Sequence, residues 1–181
     1  MSERVSRSLV LVSRPVGVPK ESDFRIKEAA IPDLAEGQFL VRNIYISVDP
    51  YMRGMMRGVE IGSTPSGGAV GQVVESRNAD FAEGSLVVSN QSWREHALCD
   101  SAERIDPQIS PLSAYLGVVG MPGFTGWYGL TRIGQPQPGE TVVVSAAAAA
   151  VGSLAGQIAK IKGCRVVGTA GGPEKCAHLT D

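Results

Sequence analysis

Residues 141–169 constrain the fold of this chain more than any other segment. Residues 141–145 form a run of β-branched residues ending in serine, which is typical of a buried strand in a parallel sheet. From Val151 to Ile161, apolar residues recur with the spacing of one helix face, and Gly163 follows them. Residues 165–169 predict a second buried strand. A strand, a helix and a strand of this length predict a βαβ unit with a right-handed crossover.

The residues before about position 110 predict a different architecture, because they alternate short apolar runs with turn residues. The runs that are typical of strands lie at residues 8–13, 39–47, 69–76, 85–90 and 93–99. Many short strands with regular turns predict a compact, mainly antiparallel β domain, either a barrel or a sandwich.

The boundary between the two regions is predicted at residue 120. Residues 113–119 lack charge and favour a helix, and residues 121–130 are rich in glycine and aromatic residues, which predicts a connector. We therefore assign residues 1–120 to the β domain and residues 121–181 to the start of a doubly wound α/β domain. A last helix is predicted from Pro173 to Asp181. Because a doubly wound sheet has about six strands, we expect this chain to be the N-terminal part of a longer protein.

Composition excludes several classes of protein. The 17 basic and 18 acidic residues give a net charge of -1, which provides no attraction for nucleic acid or for an anionic membrane surface. The longest apolar run, residues 146–151, is far shorter than the ~20 residues that span a bilayer. Cys99, Cys164 and Cys176 are odd in number and widely spaced, which favours reduced thiols in a cytoplasmic protein. His96 and Cys99 supply two metal ligands at most, so no metal site is expected.

The turn after residues 141–145 is where a dinucleotide-binding unit carries its fingerprint, G-x-G-x-x-G. Its three positions are Ala147, Ala149 and Gly152, so only the last glycine is present. Ala149 places a methyl group where the backbone approaches a pyrophosphate, at a position expected to need a positive φ. The N–H groups that begin the helix still attract phosphate. The same residues also fit a tight strand-to-helix corner without a ligand, and the fingerprint alone leaves both interpretations open.

The residues after the second predicted strand indicate which dinucleotide would bind. An NAD site usually has an Asp or Glu here for the ribose 2′-hydroxyl, but residues 169–172 are Thr-Ala-Gly-Gly. Small residues followed by Lys175 leave room for a 2′-phosphate and supply a cation for it, which favours NADP. The alternative for Lys175 is a solvated side chain on a helix surface.

Three longer segments resemble one family of enzymes. Residues 45–54 (YISVDPYMRG), 117–125 (GVVGMPGFT) and 155–168 (AGQIAKIKGCRVVG) are similar to the zinc-independent medium-chain reductases, within them to the alkenal, prostaglandin and curcumin double-bond reductases. The resemblance implies a GroES-like β-barrel catalytic domain interrupted by a Rossmann domain. It also implies NADPH-dependent reduction of the carbon–carbon double bond of α,β-unsaturated aldehydes and ketones, with hydride passing to the β-carbon and a proton to the α-carbon.

The resemblance further implies a role for individual residues. The pyrophosphate loop falls on Ala149, Ala150, Val151 and Gly152, and the residue for the 2′-phosphate is Lys175. Thr125 is expected near the nicotinamide. Tyr51 is expected on the substrate side as a catalytic residue, although a packing aromatic fits equally well, while Asp49 and Arg53 would hold its loop in shape. The main catalytic tyrosine of the family would lie beyond Asp181.

Two other functions remain open from the sequence. One is a quinone reductase of the same superfamily, with the same cofactor site. The other is a non-catalytic fragment or interaction protein, which the alanine at position 149 would suit. For the enzyme we expect an enal or enone substrate, NADP as cofactor, no nucleic-acid or membrane partner, a homodimer at full length and a cytoplasmic location.

Overall fold

The computed structural model describes residues 4–180. The chain divides into two compact units, Met1–Ser113 and Ala114–Asp181. The domain boundary at residue 120 remains a prediction.

The first unit is built from antiparallel strands. The strands are β1 (Val5–Leu11), β2 (Phe24–Ala30), β3 (Phe39–Ile46), β4 (Ala69–Ser76), β5 (Leu86–Ser89), β6 (His96–Cys99) and β7 (Glu103–Arg104). β1 and β2 form a hairpin, and the other five form a sheet in the order β6-β3-β4-β5-β7. The expected antiparallel β domain is confirmed, and across residues 4–180 these strands form an open sheet and a hairpin rather than a closed barrel.

One face of the five-stranded sheet carries the core of this unit. Alternate residues of β3 and β6 point to it, so Phe39, Val41 and Ala97 are fully buried with Val73 and Val87. Phe81 stacks on Phe39 with ring centroids 4.3 Å apart. Burial of a side chain of this size stabilises the fold by about 1.5–3 kcal/mol, so this cluster fixes the strand register.

Two strands of this unit differ from the sequence-based prediction. β2 was not predicted, because six of its seven residues are exposed and it shows no alternation of apolar side chains. The strand predicted at residues 93–99 begins only at His96. The reason is Trp93, whose φ of 64° takes the chain out of the extended conformation.

The second unit contains the predicted βαβ arrangement. β8 (Thr141–Val144) and β9 (Arg165–Gly168) pair in parallel, with Thr141 opposite Arg165, and α3 (Ala150–Ile161) connects them. α4 (Pro173–Thr180) follows, and the predicted last residue, Asp181, lies outside the described residues. Both strands were expected to be buried, but Val143 is 69% exposed, because only two strands share this sheet.

The connector predicted at residues 121–130 is wrong. The structure has α2 (Met121–Tyr128) here, followed by a wider helical turn over Gly129–Gly134. Pro122 suits the first helical turn, and Gly123 and Gly126 are buried. A Cβ on Gly126 would lie 3.0 Å from the carbonyl oxygen of Val151, so the glycine allows α2 to approach α3.

The helix expected at residues 113–119 is replaced by a short 3-10 turn at Leu112–Leu116. The first unit also contains the short helix α1 (Pro50–Met55). Between residues 4 and 180, no helix combines the length and apolar character needed to cross a membrane.

Candidate functional site

The N-terminus of α3 is the centre of the candidate cofactor site. Ala149 precedes the helix in an extended conformation (φ −91°, ψ 167°), and its carbonyl oxygen accepts a hydrogen bond of 2.8 Å from the N–H of Ser153. The N–H groups of the first turn have no acceptor within the helix, and Ala149 has no side-chain oxygen to cap them. These N–H groups and the positive end of the helix dipole can therefore bind an anion.

The glycine at position 152 is required by close packing beneath the turn. A Cβ here would lie 2.4 Å from the carbonyl oxygen of Ala146 and 3.0 Å from the Cα of Ala147. The N–H of Ala147 donates to the carbonyl oxygen of Thr169, 3.0 Å away, and so ties the turn to the end of β9. The predicted packing role of Gly152 is confirmed.

The prediction of a positive φ at Ala149 is wrong. The residue in the left-handed conformation is Ala146, with φ 48°. The turn reverses direction three residues earlier than the fingerprint suggested, and Ala149 needs no conformation that alanine disfavours. The methyl group of Ala149 stands where the fingerprint has its central glycine.

Thr125 lies on α2 and is brought together with this turn. Thr125, Ala149, Val151 and Gly152 line one cavity of about 400 Å³ inside the second unit. The Thr125 hydroxyl donates a 2.7 Å hydrogen bond to the carbonyl oxygen of Met121, one helical turn earlier, which orients the side chain. Four of the predicted cofactor residues therefore share one surface.

Ala150 and Lys175 are not among the residues that line this cavity. Ala150 is the first residue of α3, and Lys175 lies in the first turn of α4 with an exposed side chain. Gly172, at φ 86°, permits the turn that begins α4 directly after β9. The role of Lys175 at a 2′-phosphate stays a prediction.

Tyr51 lies on α1 in the β unit and is 42% exposed. Partial burial raises the pKa of its phenol, and the negative charge of Asp49 raises that pKa further. Tyr51 therefore keeps its proton at neutral pH and can donate a hydrogen bond.

The neighbours of Tyr51 hold the surrounding loops in place. Arg53 donates from Nε to the carbonyl oxygen of Gly17, 3.1 Å away, and from Nη2 to that of Pro15, 2.7 Å away. Asp49 accepts a hydrogen bond from the hydroxyl of Ser47. The expected structural roles of Asp49 and Arg53 are confirmed.

Sequence reasoning missed two residues that shape the site, Ala146 and Gly126. A sequence pattern could have predicted the role of Gly126. Glycines recur at three-residue intervals at positions 120, 123 and 126, which places small residues along one helix face. No sequence pattern predicts the left-handed conformation of Ala146, since alanine seldom adopts a positive φ.

Cys99 is a core residue of the β unit. Burial raises the pKa of its thiol to about 11, with the charge of Asp100 adding to the shift. No group of three or more His, Cys, Asp or Glu side chains suited to a metal occurs within residues 4–180.

Comparison with known proteins identifies the family. A family model described as the N-terminal domain of oxidoreductase matches residues 7–106. The NADPH-dependent curcumin reductase of Escherichia coli K12 is 45% identical over 185 residues, covering 97% of this chain and 54% of the relative. Prostaglandin reductase 1 of Bos taurus is 45% identical over 180 residues, covering 96% and 54%. The NADP(+)-dependent 2-alkenal reductase of Nicotiana tabacum is 42% identical over 190 residues, covering 97% and 55%.

Solved structures agree with these relatives. CurA from Vibrio vulnificus superposes with a TM-score of 0.90 at 46% identity, covering 97% of this chain and 55% of CurA. CurA in complex with NADPH gives a TM-score of 0.87 at the same identity and coverage. This chain spans about half the length of the curated relatives it matches, and the expected fold class, a GroES-like domain followed by part of a Rossmann domain, is confirmed. The chain belongs to the medium-chain reductases, in the family of the curcumin, prostaglandin and 2-alkenal reductases.

Proposed function

We propose that the whole protein reduces the carbon–carbon double bond of α,β-unsaturated aldehydes and ketones with NADPH. The observation that carries this proposal is 45% identity over 97% of the chain to a relative named as an NADPH-dependent curcumin reductase. The open N-terminus of α3, with Thr125 on the same cavity, gives the physical support, because it supplies backbone donors for a phosphate.

The residues of the second unit fit NADPH. The N–H groups of Ala150, Val151 and Gly152 would hold the pyrophosphate, since they begin a 12-residue helix and lack intrahelical acceptors. Gly152 lets the first turn of α3 lie close to Ala146, and Thr125 would lie beside the nicotinamide. NADPH supplies the hydride of the reaction when it is bound.

Lys175 would bind the 2′-phosphate that distinguishes NADPH from NADH. Its ammonium group is exposed, and no acidic residue occupies positions 169–172, so an added phosphate meets no like charge there. A charge-assisted hydrogen bond of this kind is worth about 1.5–3 kcal/mol.

Tyr51 would act on the substrate side. Because its phenol stays protonated, it can donate to the carbonyl oxygen of the substrate, where negative charge develops after hydride transfer. We also expect the whole protein to be a cytoplasmic homodimer without nucleic-acid or membrane partners. Sedimentation of the purified protein would test whether it is a dimer.

The activity is tested by following NADPH oxidation by the whole protein with an enal, an enone and a quinone of similar size. We expect turnover of the enal and the enone and saturated products from both. Turnover of the quinone alone would contradict the proposal and support the quinone reductase.

The cofactor assignment is tested separately with Lys175→Ala and, as a matched control, Lys162→Ala at another exposed lysine. Lys175→Ala should weaken NADPH binding by about tenfold to a hundredfold, the value of one charge-assisted hydrogen bond, and leave NADH binding unchanged. Lys162→Ala should change neither. Equal losses for both cofactors would exclude Lys175 as the 2′-phosphate residue.

Ala149→Gly tests the pyrophosphate position. If the methyl group faces the pyrophosphate, its removal should tighten binding of NADPH and NADH alike. Unchanged binding of both cofactors would show that the turn already accommodates alanine.

A further inference from the structure

A small cavity in the β unit has a composition that the proposed reaction does not use. It has a volume of about 190 Å³ and lies on the face of β6 opposite the core. His96 and Leu98 alternate with the buried Ala97 and Cys99, so the first pair lines the cavity and the second packs inside. Arg94 lies two residues before the first residue of β6 and also lines the cavity.

The guanidinium of Arg94 is a partly buried cation without a carboxylate. Among residues 4–180, no acidic side chain lies within ion-pair distance of it, and its Nε makes one long hydrogen bond of 3.4 Å to the carbonyl oxygen of Ser92. Burial lowers the pKa of Arg94, because removal from water disfavours the charged guanidinium. A cation removed from water without a counter-charge is costly.

Two acidic side chains of the same unit are paired with other arginines. Glu95 forms an ion pair with Arg7, whose Nε donates to it at 2.7 Å. Glu75 forms an ion pair with Arg4. Neither of these carboxylates forms an ion pair with Arg94.

Hydroxyl groups and a histidine complete the lining. Ser6, Ser8 and Thr64 face the same cavity as Arg94 and His96. Nδ1 of His96 is shielded from solvent and has no hydrogen-bond partner in the described part of the chain. Hydroxyl groups and an imidazole can each donate a hydrogen bond to an oxyanion.

The backbone holds Arg94 in place. Ser8 and Arg94 form an isolated antiparallel bridge, and the N–H of Leu9 donates to the carbonyl oxygen of Trp93 at 2.8 Å. Trp93 has a φ of 64°, which is rare for a large side chain and is retained only where the surrounding structure enforces it. The position of Arg94 against β1 is thus fixed before any ligand arrives.

We propose that this cavity is a binding site for a small oxyanion, a carboxylate or a phosphate group, held by Arg94 with the hydroxyls of Ser6, Ser8 and Thr64. Guanidinium groups suit this ligand because their planar donors match two oxygens of a carboxylate or phosphate. The volume of about 190 Å³ admits an ion of the size of acetate or inorganic phosphate.

The test is a titration of the whole protein with sodium acetate and, separately, sodium phosphate, at constant pH and at an ionic strength held with chloride. The ring-proton NMR signals of His96 report occupancy, assigned by their loss in His96→Gln. We expect a saturable shift with at least one of the two anions. Arg94→Gln should weaken binding at least about tenfold, the scale of one charge-assisted hydrogen bond, while Arg104→Gln on the exposed strand β7 leaves it unchanged.

Ser8→Ala provides a second variant that keeps the charge of Arg94, in case Arg94→Gln fails to fold. It should weaken binding about threefold to tenfold, as expected for one lost hydrogen bond. Absence of a saturable His96 shift with both anions would overturn the proposal. Equal affinity in the wild type, Arg94→Gln and Ser8→Ala would also overturn it.

Discussion

Gly152 and Gly156 lie one turn apart on α3 but differ in what a side chain would meet. A Cβ at position 152 would clash with the backbone of Ala146 at 2.4 Å, whereas one at position 156 would make an ordinary contact of 3.6 Å with Val166. Gly152→Ala should therefore lower the free energy of unfolding by about 1–3 kcal/mol, the usual cost of overpacking. Gly156→Ala should raise it by about 0.5–1 kcal/mol, because alanine favours a helix.

Urea unfolding of both variants measures this difference, and Gly156→Ala is the matched control for the chemistry of the substitution. If Gly152→Ala is as stable as the wild type, the turn is looser than its geometry indicates. A loss of NADPH binding without a loss of stability would assign Gly152 to the ligand rather than to packing.

Ala146 carries the left-handed conformation of the same turn. Its φ of 48° costs alanine about 1–2 kcal/mol, while a glycine adds about 0.5–1 kcal/mol of chain entropy. Ala146→Gly should thus stabilise the protein by about 0.5–1 kcal/mol. Ala148→Gly, at a position without a positive φ, should destabilise it. Thermal unfolding of the two variants shows whether each is more or less stable than the wild type. A destabilised Ala146→Gly would contradict the prediction.

The turn between β1 and β2 depends on the carboxylate of Asp23. It accepts hydrogen bonds from the hydroxyl of Ser13 at 2.6 Å and from the N–H of Lys20 at 2.9 Å. The bond from Ser13, followed by that from Lys20, holds the pKa of Asp23 below its ordinary value of 3.8. Because the folded pKa is depressed, the stabilisation is present above pH 3.8 and is lost as the pH falls through the lowered value.

Asp23→Asn should therefore be less stable than the wild type at neutral pH. The difference between the two free energies of unfolding should narrow as the pH falls below 3.8. Urea unfolding of both proteins over this pH range measures the gap. Asp33→Asn, at an exposed aspartate of the same unit, is the control and should follow the wild type. A gap that stays constant with pH would show that the carboxylate charge is not what matters.

The elements that sequence predicted well are those whose side chains show a clear period. The β-branched runs of β8 and β9 and the apolar face of α3 define the βαβ unit, and the turn residues around β4 bound that strand well. β2 and α2 were not predicted from the sequence, for different reasons. β2 is stabilised by pairing with β1 rather than by burial of an apolar face, and α2 uses glycines that lower helix propensity to approach α3.

Some residues of the candidate sites could likewise be predicted from the sequence, and others could not. Gly152 was identifiable because the fingerprint of a dinucleotide site has a glycine at that position, whereas the role of Lys175 stays a prediction. The left-handed Ala146 and the partly buried guanidinium of Arg94 were not identifiable, because each depends on contacts between residues distant in sequence. Ser8, for example, meets Arg94 only when β1 lies beside the start of β6.

At the scale of the whole chain, the two-stranded sheet of the second unit is the feature that most affects behaviour in solution. Both edges of β8 and β9 lack a further strand within the described residues, and Val143 is 69% exposed on β8. Unpaired backbone groups beside an apolar side chain favour association with another chain through edge pairing. The 181-residue polypeptide should therefore self-associate in a concentration-dependent way.

Val143→Lys should reduce this association, because a lysine on an edge strand opposes the approach of a second sheet. Val16→Lys is the matched control, since Val16 is 91% exposed but lies in a loop outside any strand. Sedimentation velocity over a range of protein concentrations compares the three proteins. We expect larger species for the wild type and for Val16→Lys than for Val143→Lys. A monomeric wild type at every concentration, or equal association of the two variants, would show that the exposed strands do not drive assembly and that the second unit is stable with its edges open.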